Sequence, residues 1–510
     1  MPKNNGSPLP LPMTNWSSLL LDTQRFIWFN LSENITNSYT VVIGTETRQM
    51  FGRTQIYTDV EKITAENVVD VLTKALKTHT QNTSDIQYLW DYYRGKTPIL
   101  NKTKEVRETI NHKICVNRAN EIVTFKLGYG FGEPIQYIRR GQDEGLTDDI
   151  NALNEFMFQE NKQAEDNELA QWLYVAGLGM RMTLPGSDKD EPFKIYTLDP
   201  RYSFVVRYNG LGKPVVMGVK YITKEDTTAV YSVYTEDRYF EIEKDAIVKN
   251  EPHVLGGVPI FEYPANAERM GAFEVVLPLL DAINETESNR LDDVVQFVNS
   301  FLALLGGSID EETAKKLDEF KMLCLPEGVD AKYLSVAMQQ NDTQVLADNL
   351  YETVLTICGL PNRNGGSSTS DTGSAVIMRD GWESAEAQMK SVENEWKRSE
   401  KPFLKMVLRI LKDMVGTNLS VRDIEIKFSR RNYDNLQTKS QVLTTLLSNP
   451  KIHPELAFTH CGLFLDPESA YLQSKQWWEE NEKAVQEQES INNPVTPDAN
   501  TTVEEEAEEQ

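Results

Sequence analysis

The chain has 510 residues, of which 40% are hydrophobic, 25% charged and 9% aromatic, a composition typical of a globular protein with room for about three domains. Carboxylates outnumber Lys and Arg by 77 to 52, and the formal net charge of −25 excludes a protein that coats nucleic acid by neutralising its phosphates. The four cysteines include no C-x-x-C pair, which excludes a disulfide framework or a zinc cluster and favours a reducing compartment. We interpret all four as small buried hydrophobes: Cys115, Cys324, Cys358 and Cys461.

The first 55 residues are polar and interrupted by proline, and they predict an arm that becomes ordered only on a partner. A short strand over 39–43 is the one element predicted there. The apolar run Leu19–Leu21 is too short for a signal-peptide core, and the longest uncharged stretch, 294–309, is shorter than the roughly 18 residues of a membrane span. We therefore expect a soluble protein.

Helices open the main body of the chain. Apolar residues recur at helical spacing over 64–79, over 86–93 and again over 110–125, with a turn at 95–98 after the second segment. A further helix is predicted over 151–182.

Alternation of apolar and polar residues then predicts an antiparallel sheet. The predicted strands cover 191–208, 215–222, 229–235 and 238–243, and a turn at 256–260 enters a short strand. Residues 60–262 are therefore predicted to form an α+β domain.

The next section predicts one long helix over 271–305, whose middle, 284–293, is almost wholly polar. A helix of more than thirty residues would span roughly 50 Å and cannot be buried in one small domain. We expect its polar middle to be satisfied by other copies of the chain and by an aqueous opening, as a cyclic oligomer allows.

A compact α/β piece follows, and then a helix over 342–358, a loop rich in Asn, Gly, Ser and Thr over 359–373, and a long helix over 374–415. Asp371 and Thr372 are predicted to cap this helix, and Pro402 to interrupt it. The remaining predictions are a strand over 424–428 that returns to the core sheet, helices over 440–447 and 467–488, and a disordered acidic end.

No motif for catalysis or cofactor binding is complete in the sequence. The sequence Gly95-Lys96-Thr97 lacks the glycine that a phosphate-binding loop requires at position 90, and the glycines of 128–132 are followed by Glu133 where a dinucleotide fingerprint needs glycine. The histidines show no metal-ligand spacing, and the acidic pairs are interpreted as solvated helix faces. The sequence predicts no enzyme, no cofactor and no metal site.

Several blocks of sequence, in their order, resemble the portal proteins of tailed bacteriophages, specifically the gp6-like siphophage portal family. The blocks are Asp91–Lys96 with Pro98–Leu100, Asn117–Ala119 to Gly128–Ile135, Leu198–Pro200, Pro278–Asn284 with Ser288–Asn289, and Ser370–Ala375. They extend over residues 85–400.

The resemblance implies a portal fold, an α+β architecture with an α/β wing, long stem helices, a small α/β clip, a tunnel loop and a helical crown, assembled as a ring. The implied segments are an N-terminal arm (1–55), the wing (56–265), a stem helix (266–303), the clip (304–340), a second stem helix (341–358), the tunnel loop (359–373), the long helix with a return to the wing (374–435), the crown (436–490) and a disordered acidic tail (491–510).

The resemblance also implies a function without catalysis. The family forms dodecameric rings at one capsid vertex in the virion, through which double-stranded DNA is packaged and ejected. The implied partners are copies of the same chain, the terminase large subunit, a head-completion adaptor, and the major capsid and scaffolding proteins, with no membrane; assembly takes place in the host cytoplasm.

The tunnel loop supplies the implied site residues. We predict brief contacts with DNA phosphates from polar and basic side chains, because a strongly basic wall would hold DNA too tightly to let it slide. These residues are Asn362, Arg363, Asn364, Ser367, Ser368, Thr369 and Ser370, with Gly365, Gly366 and Gly373 as hinges.

Three alternatives stay open from the sequence. The loop can lie in the lumen without a role in DNA movement. The protein can be a ring-forming or scaffold-like virion component without DNA passage. An enzyme would need a convergent cluster of titratable groups, which the failed motifs do not provide.

Overall fold

The computed structural model describes residues 39–42, 45–48, 50–104, 108–140, 146–298, 301–305, 330–334, 340–362, 381–430, 436–464 and 466–492. Within these ranges the helices are α1 (Val68–Tyr93), α2 (Arg118–Phe131), α3 (Thr147–Gln159), α4 (Lys162–Ala176), α5 (Leu277–Val298), α6 (Gln340–Cys358), α7 (Trp382–Met414), α8 (Leu436–Leu447), α9 (Pro454–Cys461) and α10 (Pro467–Asn492). The strands are β1 (Tyr39–Val42), β2 (Thr45–Arg48), β3 (Tyr57–Thr58), β4 (Gln136–Arg139), β5 (Leu178–Pro185), β6 (Phe193–Leu198), β7 (Ser203–Tyr208), β8 (Val215–Thr223), β9 (Ala229–Tyr234), β10 (Arg238–Glu243), β11 (Ala246–Pro252), β12 (Ile260–Pro264), β13 (Phe301–Leu305), β14 (Asp330–Leu334) and β15 (Ile424–Lys427). This mixture of helices and sheets confirms the α+β class.

The chain divides into two compact units, residues 1–128 with 159–417 and residues 129–158 with 418–510. The larger unit contains a six-stranded sheet in the order β11-β10-β9-β8-β7-β3, in which β3 runs parallel to β7 and the other pairs are antiparallel. Helix α1 covers one face of this sheet, and the buried core between them includes Val68, Leu72, Val206, Val219 and Phe240. The strands predicted over 215–222, 229–235 and 238–243 are confirmed as β8, β9 and β10, whose alternate side chains pack against α1. The stretch 191–208, predicted as one strand, is divided into β6 and β7, which belong to different sheets.

A second sheet of the larger unit has three antiparallel strands in the order β12-β5-β6. Strand β5 begins within the segment 151–182 that was predicted as helix, and that prediction is wrong beyond Ala176. The first six residues of β5 are all buried, so the strand has no polar face and its apolar residues do not alternate. The helical part is itself divided, into α3 and α4.

One predicted helical segment is longer in the structure, and another is shorter. Helix α1 is one continuous helix of 26 residues, where the sequence predicted two pieces. Its polar middle is accommodated because the side chain of Asn82 exchanges two hydrogen bonds with the backbone of Thr54, at 3.0 and 2.8 Å. In the third segment only residues from Arg118 onward are helical, and residues 111–117 are neither helix nor strand.

The predicted helix over 271–305 is also shorter than expected. Helix α5 has 22 residues and ends at Val298, so it spans about 33 Å rather than 50 Å. Residues Phe301–Leu305 form β13, which pairs antiparallel with β14. The helix 311–320 and the strand 321–325 of the predicted compact piece lie outside the described residues.

Helix α6 confirms the prediction over 342–358. Helix α7 has 33 residues and runs through Pro402 without a break, so the predicted interruption is wrong. Asp371 and Thr372, the predicted caps, lie outside the described residues.

The smaller unit combines a two-stranded sheet with helices. Strand β15 pairs with β4, which corrects the prediction that it returns to the core sheet. The side chain of Asn154 on α3 accepts from the N–H of Tyr137 at 3.1 Å and donates to its carbonyl at 2.7 Å. Arg139 of β4 also binds Glu468 of α10, at 3.3 Å. Helices α8 and α10 were predicted, whereas α9 was not.

None of the helices in the described part of the chain combines the length and apolar composition that crossing a bilayer requires. Of the cysteines interpreted as buried, Cys358 and Cys461 are buried and Cys115 is half-buried, while Cys324 lies outside the described residues.

Candidate functional site

The loop predicted to meet DNA leaves and re-enters the fold at one place. Pro361, near its beginning, and Gly381, directly before α7, are neighbours in space, since a methyl group placed on Gly381 would lie 4.0 Å from Cα of Pro361. Residues 362–380 therefore start and finish at adjacent points of a helical scaffold formed by α2, α6 and α7. All three helices at this point belong to the larger unit.

Helix α6 ends at the loop with a tight backbone turn. Gly359 has a φ of +64°, in the left-handed region that glycine adopts without strain. The N–H of Leu360 donates to the carbonyl of Leu355 at 2.9 Å, which closes the last turn of the helix. Gly359 also lies directly against the side chain of Gln388 on α7, where a methyl group would come within 2.3 Å of Cδ. A side chain at this position would therefore push α6 and α7 apart.

A half-buried lysine connects the three helices at the same place. Lys126 of α2 donates from Nζ to Oε1 of Gln388 at 2.9 Å. Burial lowers the pKa of Lys126 below its ordinary 10.5, although the nearby Cys358 partly opposes this shift. Burial likewise raises the pKa of the Cys358 thiol to about 11, so the thiol stays protonated and is unsuited to act as a nucleophile at neutral pH.

A small cavity of about 250 Å³ lies beside this junction. Arg118 of α2 stacks on the ring of Tyr351 of α6, 3.8 Å from its centroid, and binds Glu121 at 2.8 Å. The hydroxyl of Tyr351 donates to the same carboxylate at 2.8 Å. The cavity lining comprises Arg118, Glu121, Phe125, Tyr351, Leu355, Leu360 and Pro361. Arg118, the cation in this lining, is thus already bound to a carboxylate and an aromatic ring. This arrangement suits a structural junction better than a catalytic centre.

The polar face of α5 is satisfied within the chain. Asn284, Ser288 and Asp292 follow one another at intervals of one helical turn, and all three are buried. Their side-chain oxygens accept from backbone N–H groups of the segment 111–117: Asn284 from Val116 at 2.7 Å, Ser288 from Ile114 at 2.9 Å and Asp292 from His112 at 2.8 Å. The prediction that other copies or water must satisfy this face is therefore wrong for these residues.

The spacing explains why this contact repeats. Four residues of helix rise about 6.0 Å, and two residues of extended chain advance about 6.6 Å, so every second N–H of the segment meets every fourth side chain of α5. We call this set of three contacts the polar ladder. It fixes residues 111–117 along the helix without forming a strand.

Asp292 forms the last rung of the polar ladder and is 1% exposed. It also binds Lys102 at 3.2 Å, Lys104, and the ring of His112 at 2.7 Å. Burial alone would raise the pKa of Asp292, but the hydrogen bonds from Lys104, His112 and Lys102 outweigh it and hold the pKa well below 3.8. The carboxylate is therefore charged at all physiological pH values.

A compact group of four charges fastens α7 to the second sheet. Glu400 of α7 lies 3.1 Å from Lys162 and 3.5 Å from Arg181, and it accepts from the hydroxyl of Tyr263 at 2.7 Å. Asp166 binds both cations, at 2.7 Å in the case of Lys162. We call these four charged residues the buried ion cluster; each side chain is at most 5% exposed. Two cations and two carboxylates leave no net charge.

The predicted site residues are placed only in part. Asn362 is half-buried at the start of the loop, and the other nine residues lie outside the described ranges. The anchors that hold the loop were not predicted as a site: Lys126, Gln388 and Tyr351 come from three separate helices, and Gly381 directly precedes α7. Gly359 stood at the predicted start of the loop, and this glycine was the sequence feature that could indicate the anchor.

Comparison with known proteins gives a family match. The model of the family described as phage portal protein, SPP1 Gp6-like, matches residues 72–488. No curated protein matches the chain significantly. Among solved structures, a chain of the neck of an empty GTA particle computed with C6 symmetry is similar, with 13% sequence identity and a TM-score of 0.39 over 68% of this chain and 90% of that one.

Proposed function

Because the chain belongs to the SPP1 Gp6-like family of phage portal proteins, we propose that it assembles as a dodecameric ring at one capsid vertex and that DNA is packaged and ejected through it. The observation that carries this proposal is the extent of the family match, which runs from α1 to α10 and includes the loop and both of its anchors. Proteins of this family are structural, and the geometry described for the loop anchors agrees with a structural role.

The proposal assigns the loop to the channel. The joined ends at Pro361 and Gly381 support this assignment, because a loop anchored at one point can move without disturbing the helices that carry it. Arg363 would make the charge contact with a phosphate, and the neighbouring Asn and Ser side chains would make brief hydrogen bonds. The large negative charge of the chain supports easy sliding, since few phosphates would be neutralised.

The remaining assignments belong to the same proposal. They are the wing, stem, clip and crown segments, docking of the terminase large subunit and a head-completion adaptor, and contact with the major capsid and scaffolding proteins. In this proposal the first 55 residues pack on a neighbouring subunit or a capsid protein.

Assembly is tested by the mass and the axial image of the purified full-length chain. We expect a closed ring of copies by native mass spectrometry and negative-stain imaging. A chain that stays a monomer or dimer over the accessible range of concentration and salt would overturn the portal assignment. Limited proteolysis of the ring tests the arm, which we expect to be cut more slowly than in free subunits.

The loop assignment is tested by Arg363→Glu. We expect normal rings and reduced DNA packaging, because the substitution places a carboxylate where a phosphate would pass. Arg422→Glu is the matched control, since Arg422 is 86% exposed and lies outside the loop. Loss of the ring in the Arg363 variant would refute the loop assignment. Normal packaging after deletion of 364–372 would favour a ring without DNA passage.

A further inference from the structure

A groove of about 980 Å³ lies at one edge of the six-stranded sheet of the larger unit. The turn between β7 and β8, strand β12 and the second half of α7 form its walls. Its charged lining residues are six cations and two carboxylates: Arg207, Lys213, Arg269, Arg398, Lys405, Arg409, Glu262 and Glu395. We call this the cationic groove. Such a concentration of positive charge is unexpected in a chain with a net charge of −25.

Three of these cations have no carboxylate within salt-bridge distance in the part of the chain that the structure describes. Lys213 donates to the hydroxyl of Tyr57 at 3.2 Å and lies over its ring, Arg409 donates to two backbone carbonyls, and Lys405 is exposed. The other three share the two carboxylates, Arg207 and Arg269 with Glu262, and Arg398 with Glu395. The groove therefore presents an unbalanced positive charge to whatever enters it.

The opposite edge of the same sheet carries the opposite charge. Residues 224–252, which contain β9, β10, β11 and their turns, have eight carboxylates and four cations. We call this the acidic edge. Five of its carboxylates have no cation within salt-bridge distance among the described residues: Glu225, Asp226, Glu236, Glu241 and Asp245. Strand β11 is the outermost strand, and six of its seven residues are exposed.

Among the described residues, no salt bridge joins the two charged surfaces within one subunit. Five strand spacings of about 4.8 Å separate β11 from β3, or roughly 24 Å in all. This is about three times the screening length of roughly 8 Å at physiological salt. In a closed ring with head-to-tail contacts, however, one surface of each subunit meets a different surface of its neighbour.

We propose that the cationic groove of one subunit receives the acidic edge of the next subunit in the ring. The contact rests on the proposed ring, and it specifies which surfaces pair and through which charges. Complementary charge favours the head-to-tail orientation and discourages contacts between like edges, which carry like charge. It also offsets the repulsion that subunits with a net charge of −25 experience when they assemble.

Charge reversal tests the pairing in the full-length chain. Lys213→Glu with Lys405→Glu reverses the groove, and Glu236→Lys with Glu251→Lys reverses the acidic edge. We expect each double variant to raise the protein concentration needed for half-maximal ring formation by about tenfold, and the chain carrying all four substitutions to return to near the wild-type value. The readout is the ring fraction by mass photometry at 0.15 M salt.

Lys77→Glu with Lys189→Glu is the matched control, since it makes the same change of charge at exposed lysines outside both surfaces. We expect this control to assemble as the wild type does. If the four substitutions together assemble no better than either double variant, or if the control is equally impaired, the effect is one of total charge and the proposed pairing is wrong.

Zero-length crosslinking locates the contact directly. Carbodiimide treatment of rings made from a mixture of isotopically labelled and unlabelled chains should join Lys213 or Lys405 to carboxylates of 224–252 in labelled–unlabelled pairs. Crosslinks to residues 493–510 instead would assign the groove to the acidic end of the chain. Crosslinks confined to one chain would also overturn the proposal.

The outcomes separate this contact from the portal assignment. A wild-type chain that forms no ring overturns both. Rings that form equally well in every variant overturn the contact alone. Groove variants that form normal rings but fail to retain DNA would show that the groove binds phosphate rather than a second copy.

Discussion

Helices α5 and α7 both bury charged residues, but they satisfy them in different ways. The polar ladder of α5 uses backbone N–H groups of a segment that is neither helix nor strand, with Asp292 adding three basic side chains at one end. The buried ion cluster of α7 uses side chains alone, two cations against two carboxylates. The ladder therefore positions a segment that is neither helix nor strand, whereas the cluster joins regular elements.

The difference bears on what each helix can do in a ring. A helix fixed by a cluster of four mutually dependent charges is strongly destabilised when any one is removed, because an unpaired buried charge is costly. A ladder of separate rungs can lose one contact and keep the others. We expect α7 to behave as a rigid support of the loop, and the segment along α5 to open one rung at a time.

The largest effect should come from the buried ion cluster. Glu400→Ala leaves Lys162 and Arg181 with one carboxylate between them, and we expect a loss of about 3–5 kcal/mol in the free energy of unfolding of the larger unit. Burial would lower the pKa of Arg181, but Asp166 and the neighbouring Tyr263 and Glu400 raise it, so this cation cannot discharge to relieve the penalty.

Denaturant unfolding, followed by tryptophan fluorescence, measures this loss. Lys401→Ala is the control, because Lys401 follows Glu400 in α7 but is exposed, and we expect a change within about 0.5 kcal/mol. Equal stabilities of the two variants would show that the cluster contributes nothing that the surrounding apolar contacts do not.

The second effect should come from the charged rung of the ladder. Asp292→Asn removes the charge that binds Lys102, Lys104 and His112, and we expect a loss of about 2–3 kcal/mol. Asp293→Asn changes the adjacent exposed carboxylate and should leave stability unchanged. Hydrogen exchange at the amide of His112 should accelerate in the first variant only. Unchanged exchange would show that the charge of Asp292 does not hold this rung closed.

The third effect is a dependence of the folding stability on pH, and it comes from Asp292 of α5. The folded protein holds the pKa of Asp292 below its ordinary 3.8, so the unfolded chain binds this proton first as the pH falls. The stabilisation is complete well above pH 3.8 and is lost progressively below it, with a slope of up to about 1.4 kcal/mol per pH unit. Asp292→Asn should flatten this part of the acid unfolding curve. An identical curve for the variant would contradict the assignment.

The sequence predicted those parts of the fold whose partners are regular and repetitive. Alternation over 215–243 was sufficient for the strands β8 to β10, because one face of the six-stranded sheet packs on α1. The stretch 191–208 was predicted as one strand, but it forms β6 and β7 in two different sheets. Strand β5 was missed because its first six residues are all buried, which removes the alternation. The start of α5 was placed six residues early and its end seven residues late, since apolar spacing continues into the strand β13.

The candidate site was predictable only where glycine marked it. Gly359 and the polar loop after it indicate a break between α6 and α7, and the family resemblance gave that break a role. The anchors could not be predicted, because Lys126 and Gln388 are 262 residues apart and nothing in either local sequence specifies the other. The same holds for the ladder, whose rungs join residues 168 to 180 positions apart.

The smallest effect distinguishes a ladder of separate rungs from a cooperative unit. Ser288 accepts from the N–H of Ile114 at 2.9 Å and donates to the carbonyl of Asn284 at 2.7 Å, and it is fully buried. Ser288→Ala leaves the N–H of Ile114 without its acceptor, and we expect a loss of about 1–2 kcal/mol. Thr286→Ala is the matched control, because Thr286 donates only to Ala282 within α5 and should change stability by less than about 0.5 kcal/mol. If the rungs are separate, Ser288→Ala accelerates hydrogen exchange at the amide of Ile114 and leaves exchange at the amide of His112 slow. Equal acceleration at both amides would show that the segment opens as one piece. The contrast between α5 and α7 would then not hold.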